Sequence, residues 1–172
     1  MKSSRCRQLW VPTTRSANYD PFMRFHEVIQ NVYFDDLDAL QVLHNARYLL
    51  LIERTIGDFW RTMGWGGPLR AKRHPDQFHM VRANHFEYER AVHDIGELRV
   101  RVWVEQMGRT SLTFGFLVLA KDEDSVFARG HRVLVRVDPQ THRPVPWSDS
   151  FRTRLEPYRA DLDTPPTPRS ET

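Results

Sequence analysis

The clearest pattern along the chain is a stripe of apolar side chains with helical spacing. Between residues 49 and 63 the apolar positions advance by 3, 4, 3, 1 and 3 residues, at Leu49, Ile52, Ile56, Phe59, Trp60 and Met63. This spacing places them on one face of an α-helix. Asn45 is of a residue type that caps helix N-termini, and Gly64 is of the type that ends helices. The sequence therefore predicts a helix over residues 46–63.

Five other segments are candidate β-strands, although alternation is weak in the first two. They span residues 25–34, 78–89, 96–106, 111–120 and 126–137. The third segment alternates most clearly, with Leu98, Val100, Val102 and Val104 pointing to one face. Short links join the last three segments, and such links favour antiparallel pairing.

The order of these elements is one strand, one long helix and then a strand meander. This order predicts an α+β fold in which the helix packs on one face of an antiparallel sheet. Because the helix is apolar over more than half of its circumference, the sheet is expected to wrap around it. Prolines recur from Pro139 onwards and argue against further core there, apart from a short helix near residues 148–155.

Three carboxylates, Asp35, Asp36 and Asp38, lie between the first strand and the helix. The free N–H groups at a helix N-terminus carry partial positive charge and can hold a developing oxyanion. A carboxylate just upstream can then act as a nucleophile or general base. The alternative is that these residues only shape the turn, as Asp often does. Spacing alone favours this structural interpretation.

Composition limits the class of protein. The chain has 172 residues, 40% of them hydrophobic, which predicts one domain. Its net charge of +3 does not indicate nucleic-acid binding and is compatible with an anionic substrate. Cys6 is the only cysteine, so no disulfide forms within the chain. The histidines lack metal-ligand spacing, so we expect no metal. We see neither a membrane span nor a secretory signal and expect a cytoplasmic protein.

Both ends of the chain differ in composition from the centre. Residues 1–22 are basic and residues 158–172 are rich in proline, so we predict two disordered tails around a domain at residues 23–157. An organelle transit peptide is a weaker alternative for the first tail, since it is also rich in Arg and Ser and poor in acids.

The run Asp36-x-Asp38-x5-His44-Asn45-Ala46-x-Tyr48, followed by Glu53-Arg54, resembles the acyl-CoA thioesterases of the 4-hydroxybenzoyl-CoA thioesterase type. The resemblance continues at Gly108-Arg109-Thr110-Ser111 and at Val137-Asp138-Pro139, and covers residues 24–157. It implies the hotdog fold, in which an antiparallel sheet wraps a central helix. It also implies that no cofactor is needed beyond the coenzyme A of the substrate.

The resemblance assigns catalysis to Asp38 and an oxyanion site to the backbone N–H groups of His44 and Asn45. It assigns substrate binding to Gln41, Tyr48, Glu53 and Arg109. The chain departs from the family pattern at residues 42–45, and at Gln41, where the family often has a glycine. A purely structural role for Glu53 and an ordinary exposed position for Arg109 remain alternatives.

We therefore predict an acyl-CoA thioesterase that hydrolyses a thioester to a carboxylic acid and CoA. Two alternatives are an acyl-ACP or polyketide-chain thioesterase and a non-catalytic hotdog protein that binds acyl-CoA. The expected partners are the small-molecule substrate and further copies of the chain. The resemblance implies a homodimer or dimer of dimers with sites shared across a continuous sheet.

Overall fold

The structure, a computed structural model, describes residues 24–66 and 74–160. In chain order its elements are strand β1 (His26–Val32), helix α1 (Asn45–Thr62), strands β2 (His79–Tyr88), β3 (Gly96–Met107), β4 (Ser111–Ala120) and β5 (Val126–Arg136), and helix α2 (Asp149–Leu155). Cys6, the predicted tail at residues 1–22 and residues 161–172 of the predicted tail at residues 158–172 lie outside the described residues. No helix of the described chain is both long and apolar enough to span a membrane.

The five strands form one antiparallel sheet in the order β1-β3-β4-β5-β2. The predicted α+β class and antiparallel sheet are therefore confirmed, and each predicted strand agrees with the structure within two residues at either end. Since β3, β4 and β5 follow one another along the chain, they pair as neighbours through short turns. β1 and β2 are left as the edges of the sheet.

The main core lies between α1 and one face of the sheet. Every second residue of β3 is buried there, namely Leu98, Val100, Val102 and Val104, as the alternation predicted. Helix α1 contributes a buried stripe at Tyr48, Leu51, Ile52, Thr55, Ile56 and Phe59. α1 packs most closely against β1 and β3, and near its C-terminal end Trp60 lies beside His79 of β2.

The ends of α1 correct one prediction and confirm another. His44, and not Asn45, is the N-cap: its backbone is extended and its Nδ1 accepts the Ala46 N–H at 3.2 Å. The imidazole does what an Asx oxygen commonly does, which sequence preference did not anticipate. Gly64 ends the helix with a φ of +77°, a conformation that favours glycine.

The C-terminal segment enters the core, contrary to the prediction from its prolines. Ser148 caps α2 by accepting the Phe151 N–H, and Trp147, Phe151 and Leu155 are buried. The chain then continues past the predicted boundary at residue 157, since the Ala160 N–H donates to the Val104 carbonyl at 2.9 Å. A proline-rich segment can thus complete a core through short helical turns.

Asp76, just before β2, joins this segment to the sheet. Its carboxylate is fully buried and lies 2.9 Å from Nε of Arg136 at the end of β5. It also accepts the Ser148 N–H at 3.1 Å and the Ser148 hydroxyl. One buried charge therefore ties together β5, the start of α2 and the chain entering β2.

Candidate active site

The acidic turn gives its three carboxylates different roles. Asp36 is buried, accepts the Tyr33 N–H at 2.9 Å and lies 3.3 Å from Nε of Arg47 on α1. Asp35 is exposed and lies 3.7 Å from the same guanidinium. Asp36 therefore holds the turn against the helix, which is the structural role that spacing alone favoured.

Asp38 takes no part in the ion pairs with Arg47. Its Oδ1 accepts the Leu40 N–H at 2.8 Å and the Val42 N–H at 3.4 Å, which closes a turn of the Asx type. Its Oδ2 accepts no hydrogen bond from the described residues. One carboxylate oxygen is thus used to fix the side chain, and the other is free.

Gln41 occupies the bend of this loop with a φ of +59°. A side chain with a Cβ is strained in this left-handed region, whereas glycine is not. In the family that this sequence resembles, the same position is often glycine. The loop has therefore kept the conformation that glycine favours although the residue differs.

This strain leads to a prediction about stability. Replacing Gln41 with glycine should raise the free energy of unfolding by up to about 1 kcal/mol, because relief of native strain exceeds the added freedom of the unfolded chain. Gln41→Val should lower it by about 1 kcal/mol or more, since β-branched residues tolerate positive φ poorly. Urea unfolding midpoints should rank glycine above glutamine above valine, and any other order would contradict the argument.

The start of α1 leaves one backbone donor free. The His44 N–H donates to the Asp36 carbonyl at 2.9 Å, which removes it as an oxyanion donor and corrects the prediction for that group. The Ala46 and Arg47 N–H groups both donate to His44, at 3.2 and 2.8 Å. The Asn45 N–H has no acceptor among the described residues. The backbone donor that remains available at the start of the helix is therefore the Asn45 N–H.

A cavity of about 350 Å³ brings these groups together. It is lined by Asp38, Val42, Leu43, His44, Asn45, Tyr48, Tyr88, Glu89, Arg90 and Ala91. Four residues predicted for the site thus line the same cavity, namely Asp38, His44, Asn45 and Tyr48. The wall opposite the helix comes from the end of β2 and the residues after it.

Two tyrosines line this cavity. The rings of Tyr48 and Tyr88 meet edge to face with centroids 5.1 Å apart. Burial raises the pKa of Tyr48 to about 12, so its hydroxyl stays protonated at neutral pH and remains a hydrogen-bond donor. The Tyr88 hydroxyl donates a long hydrogen bond of 3.5 Å to the Asn45 carbonyl. The end of β2 is thereby held beside the start of α1.

Comparison with known proteins gives this geometry a context. The family model described as the thioesterase-like superfamily matches residues 32–155, which include the acidic turn, α1 and all of β2 to β5. The chain belongs to the thioesterase-like superfamily. The predicted class of enzyme, a thioester hydrolase, is confirmed by this assignment, while the 4-hydroxybenzoyl-CoA type remains a prediction. No curated protein matches the chain.

Solved structures share the fold of this thioesterase. A protein from Bacillus stearothermophilus described as a predicted thioesterase is 19% identical with a TM-score of 0.68, covering 80% of this chain and 98% of that one. A 1,4-dihydroxy-2-naphthoyl-CoA thioesterase from Synechocystis is 13% identical with a TM-score of 0.66, over 83% and 100% of the two chains. A thioesterase from Thermus thermophilus, complexed with coenzyme A and Zn, is 27% identical with a TM-score of 0.64, over 76% and 91%.

Two predicted substrate-binding residues of the thioesterase lie away from the cavity. Glu53 is two turns further along α1, with its nearest cation, Arg132, at 3.8 Å. Arg109 lies in the turn between β3 and β4, at the opposite end of the sheet from the cavity. The ten residues of β4 separate the two ends by about 30 Å. Within one chain, Arg109 therefore does not reach Asp38.

Tyr88 and Arg90 are cavity residues that the sequence analysis missed. Arg90 donates through Nε to the Val126 carbonyl at 3.2 Å, lies 5.1 Å from the centre of the Phe127 ring and has no acidic partner in the described chain. An aromatic and a cation at the end of a strand are common surface features. Only the folding of β2 beside α1 places them opposite Asp38.

Proposed function

We propose that this thioesterase hydrolyses acyl-CoA thioesters, with Asp38 as nucleophile or general base and the Asn45 N–H as oxyanion donor. The observation that carries the proposal is that a carboxylate with a free oxygen and the free N–H of a helix start line the same cavity. Helix α1 has 18 residues, enough to develop the full partial charge at its N-terminus. The cavity therefore joins a base to an anion-binding group.

The chemistry follows from this pairing. The thioester oxygen would lie against the Asn45 N–H, which polarises the carbonyl and stabilises the tetrahedral oxyanion. Asp38 either takes a proton from an attacking water or attacks the carbon itself, giving an anhydride that water then hydrolyses. In both paths the C–S bond breaks, CoA leaves as a thiolate that is then protonated, and the acid is released.

Three observations favour CoA as the carrier. Arg90 lines the cavity with an exposed guanidinium that has no carboxylate partner in the described chain. Such a group suits the phosphates of CoA. The net charge of +3 is compatible with an anionic substrate. The Thermus thermophilus relative, 27% identical, was solved with coenzyme A.

The test of the proposed function is thiol release from matched panels of acyl-CoA and acyl-ACP. Hydrolysis of acyl-CoA at the higher kcat/KM supports the proposal, and faster hydrolysis of acyl-ACP would move the enzyme to the alternative carrier. Binding of acyl-CoA without release of thiol would instead identify a non-catalytic binding protein.

We further propose that the enzyme is a homodimer in which β2 of one copy pairs with β2 of the other. β2 is an edge strand, and its Met80 and Val81 are 56% and 45% exposed. An open edge with apolar side chains is a template for pairing with another strand. Antiparallel pairing would bring the Arg109 end of one copy to the cavity end of the other, as a shared site requires.

Mixed dimers test this assembly together with the role of Arg109. Arg109→Ala alone should raise KM for acyl-CoA on the order of tenfold at low salt and less at high salt, because salt screens a phosphate contact. If Asp38 works with the partner's Arg109, heterodimers of Arg109→Ala with Asp38→Asn contain one intact site. Co-expressed mixtures should then contain sites with wild-type KM, so that their kcat/KM at low salt exceeds that of Arg109→Ala alone.

There are two controls: each variant assayed alone, and the two variants mixed after each has folded separately. A kcat/KM of the co-expressed sample no greater than that of Arg109→Ala alone would exclude a shared site. Sedimentation of the wild-type protein as a monomer at micromolar concentration would exclude the dimer.

A further inference from the structure

Arg132 is a buried cation that the proposed mechanism does not use. It lies on β5 with its side chain on the core face, opposite α1, and is 5% exposed. Its neighbours in the sheet are Phe114 on β4 and Asn84 on β2. A leucine would fill such a core position at no electrostatic cost, so the charge needs its own explanation.

The guanidinium of Arg132 makes no hydrogen bond to the described residues. Its Nε is fully buried without an acceptor. The nearest carboxylate is Glu53, at 3.8 Å, and the side chain of Glu53 is 60% exposed. The Nε atoms of Arg129 and Arg136 on the same strand also lack a well-aligned acceptor, but each of those guanidiniums has a carboxylate in direct contact, from Glu89 and Asp76.

Burying a charged guanidinium without a hydrogen-bond acceptor costs free energy unless another group binds there. Burial disfavours the charged guanidinium and lowers the pKa of Arg132, but arginine stays protonated at neutral pH. Its Nε–H has then lost water without gaining an acceptor, whereas buried polar groups are normally hydrogen bonded. Glu53 balances the charge loosely and leaves the hydrogen bonds unmade. An oxygen acceptor would complete the site.

The position of Arg132 relative to the candidate cavity follows from the arrangement of α1 and β2. α1 and β2 run side by side in opposite directions, with Tyr88 beside Asn45 at one end and His79 5.3 Å from Trp60 at the other. From Asn45 to Glu53 is eight residues of helix, about 12 Å. From Tyr88 to Asn84, the sheet partner of Arg132, is four residues of strand, about 13 Å.

We propose that Arg132 and Glu53 bind an oxygen atom carried by the far part of the acyl group, so that the enzyme selects oxygenated acyl thioesters over plain hydrocarbon ones. This inference rests on the proposed function, because it takes the thioester to lie at Asp38. A hydroxyl fits best, since it accepts from Arg132 and donates to Glu53. A carboxylate accepts from Arg132 but is repelled by Glu53, and a methyl group leaves the guanidinium unpaired.

Three CoA thioesters of equal chain length, ending in methyl, hydroxyl and carboxylate, test the proposal. We expect kcat/KM on the order of tenfold higher for the hydroxyl than for the methyl substrate, as a hydrogen bond to a charged group gives. Arg132→Met should abolish this preference. Glu53→Gln should move the preference towards the carboxylate. The matched control is Arg54→Met, an exposed arginine next to Glu53 in sequence that lines a surface pocket with residues of β1, and it should leave the preference unchanged.

Each result decides the proposal separately from the function. A wild-type enzyme that hydrolyses the methyl substrate as well as the others retains the proposed function and overturns this inference. If none is hydrolysed, calorimetric binding of the three free acids still ranks them, and equal binding overturns it. If Arg132→Met does not fold, the wild-type ranking and Glu53→Gln still decide. An Arg132→Met protein that loses its dimer but keeps the acyl preference shows that a second copy supplies the acceptor, and also overturns it.

Discussion

An Asp38→Asn variant should hydrolyse acyl-CoA with a kcat lowered on the order of 100-fold or more, because it loses the group that attacks the carbonyl or accepts the proton of water. Asparagine keeps the size of the side chain. It also keeps an oxygen that can accept the Leu40 N–H, as Asp38 Oδ1 does at 2.8 Å. The turn should therefore survive, and KM should change little. Thiol-release kinetics together with a thermal unfolding curve measure the two effects separately.

The control for this prediction is Asp35→Asn, since Asp35 belongs to the same turn but its side chain is 78% exposed. That variant should keep a near wild-type rate. Asp36→Asn is less suitable, because Asp36 is buried against Arg47 and its loss should act through stability. Near wild-type turnover by a folded Asp38→Asn protein would remove this turn from the chemistry.

An Asp76→Asn variant should lose about 3 kcal/mol or more of unfolding free energy, the largest stability effect we expect from one substitution. It removes the carboxylate that lies 2.9 Å from Arg136 and leaves that cation with no charge to balance it. The amide can accept the Ser148 N–H but cannot replace the ion pair. Denaturant unfolding should show a lower midpoint with an unchanged slope.

Asp149→Asn is the matched control for Asp76, because it removes an exposed carboxylate from the first turn of α2. Its effect should stay within about 0.5 kcal/mol. Equal midpoints for Asp76→Asn and the wild type would show that the buried ion pair contributes no net stability.

The helix and strands such as β3 were predictable because each has one apolar face, and the spacing of that face reports the element. Alternation placed Leu98 to Val104 in the core correctly. It gave no reason to bury Arg132, because a charged residue beside Val133 is normally assigned to the solvent face. The position of Asp76 was equally hidden, since its partners Arg136 and Ser148 are distant in sequence.

The candidate site was predictable only in part, for a similar reason. Local spacing and resemblance led to Asp38 and Tyr48, which are close in sequence and lie in one cavity. The backbone donor had to be chosen from the structure, because only the fold shows that the His44 N–H is already bonded to Asp36. Arg90 lay outside the motif, since nothing in sequence links the end of β2 to α1.

The positions of β1 and β2 at the edges of the sheet also bear on how the protein folds. β3, β4 and β5 pair with their neighbours in sequence, so they can associate after closing only short loops. β1 is separated in sequence from its partner β3 by α1 and β2, and β2 is separated from its partner β5 by β3 and β4. Asp38 follows the first of these edge strands and Tyr88 ends the second. The candidate cavity is therefore built from the strands that we expect to join the sheet last, and local opening of those strands can expose it while the central meander stays folded.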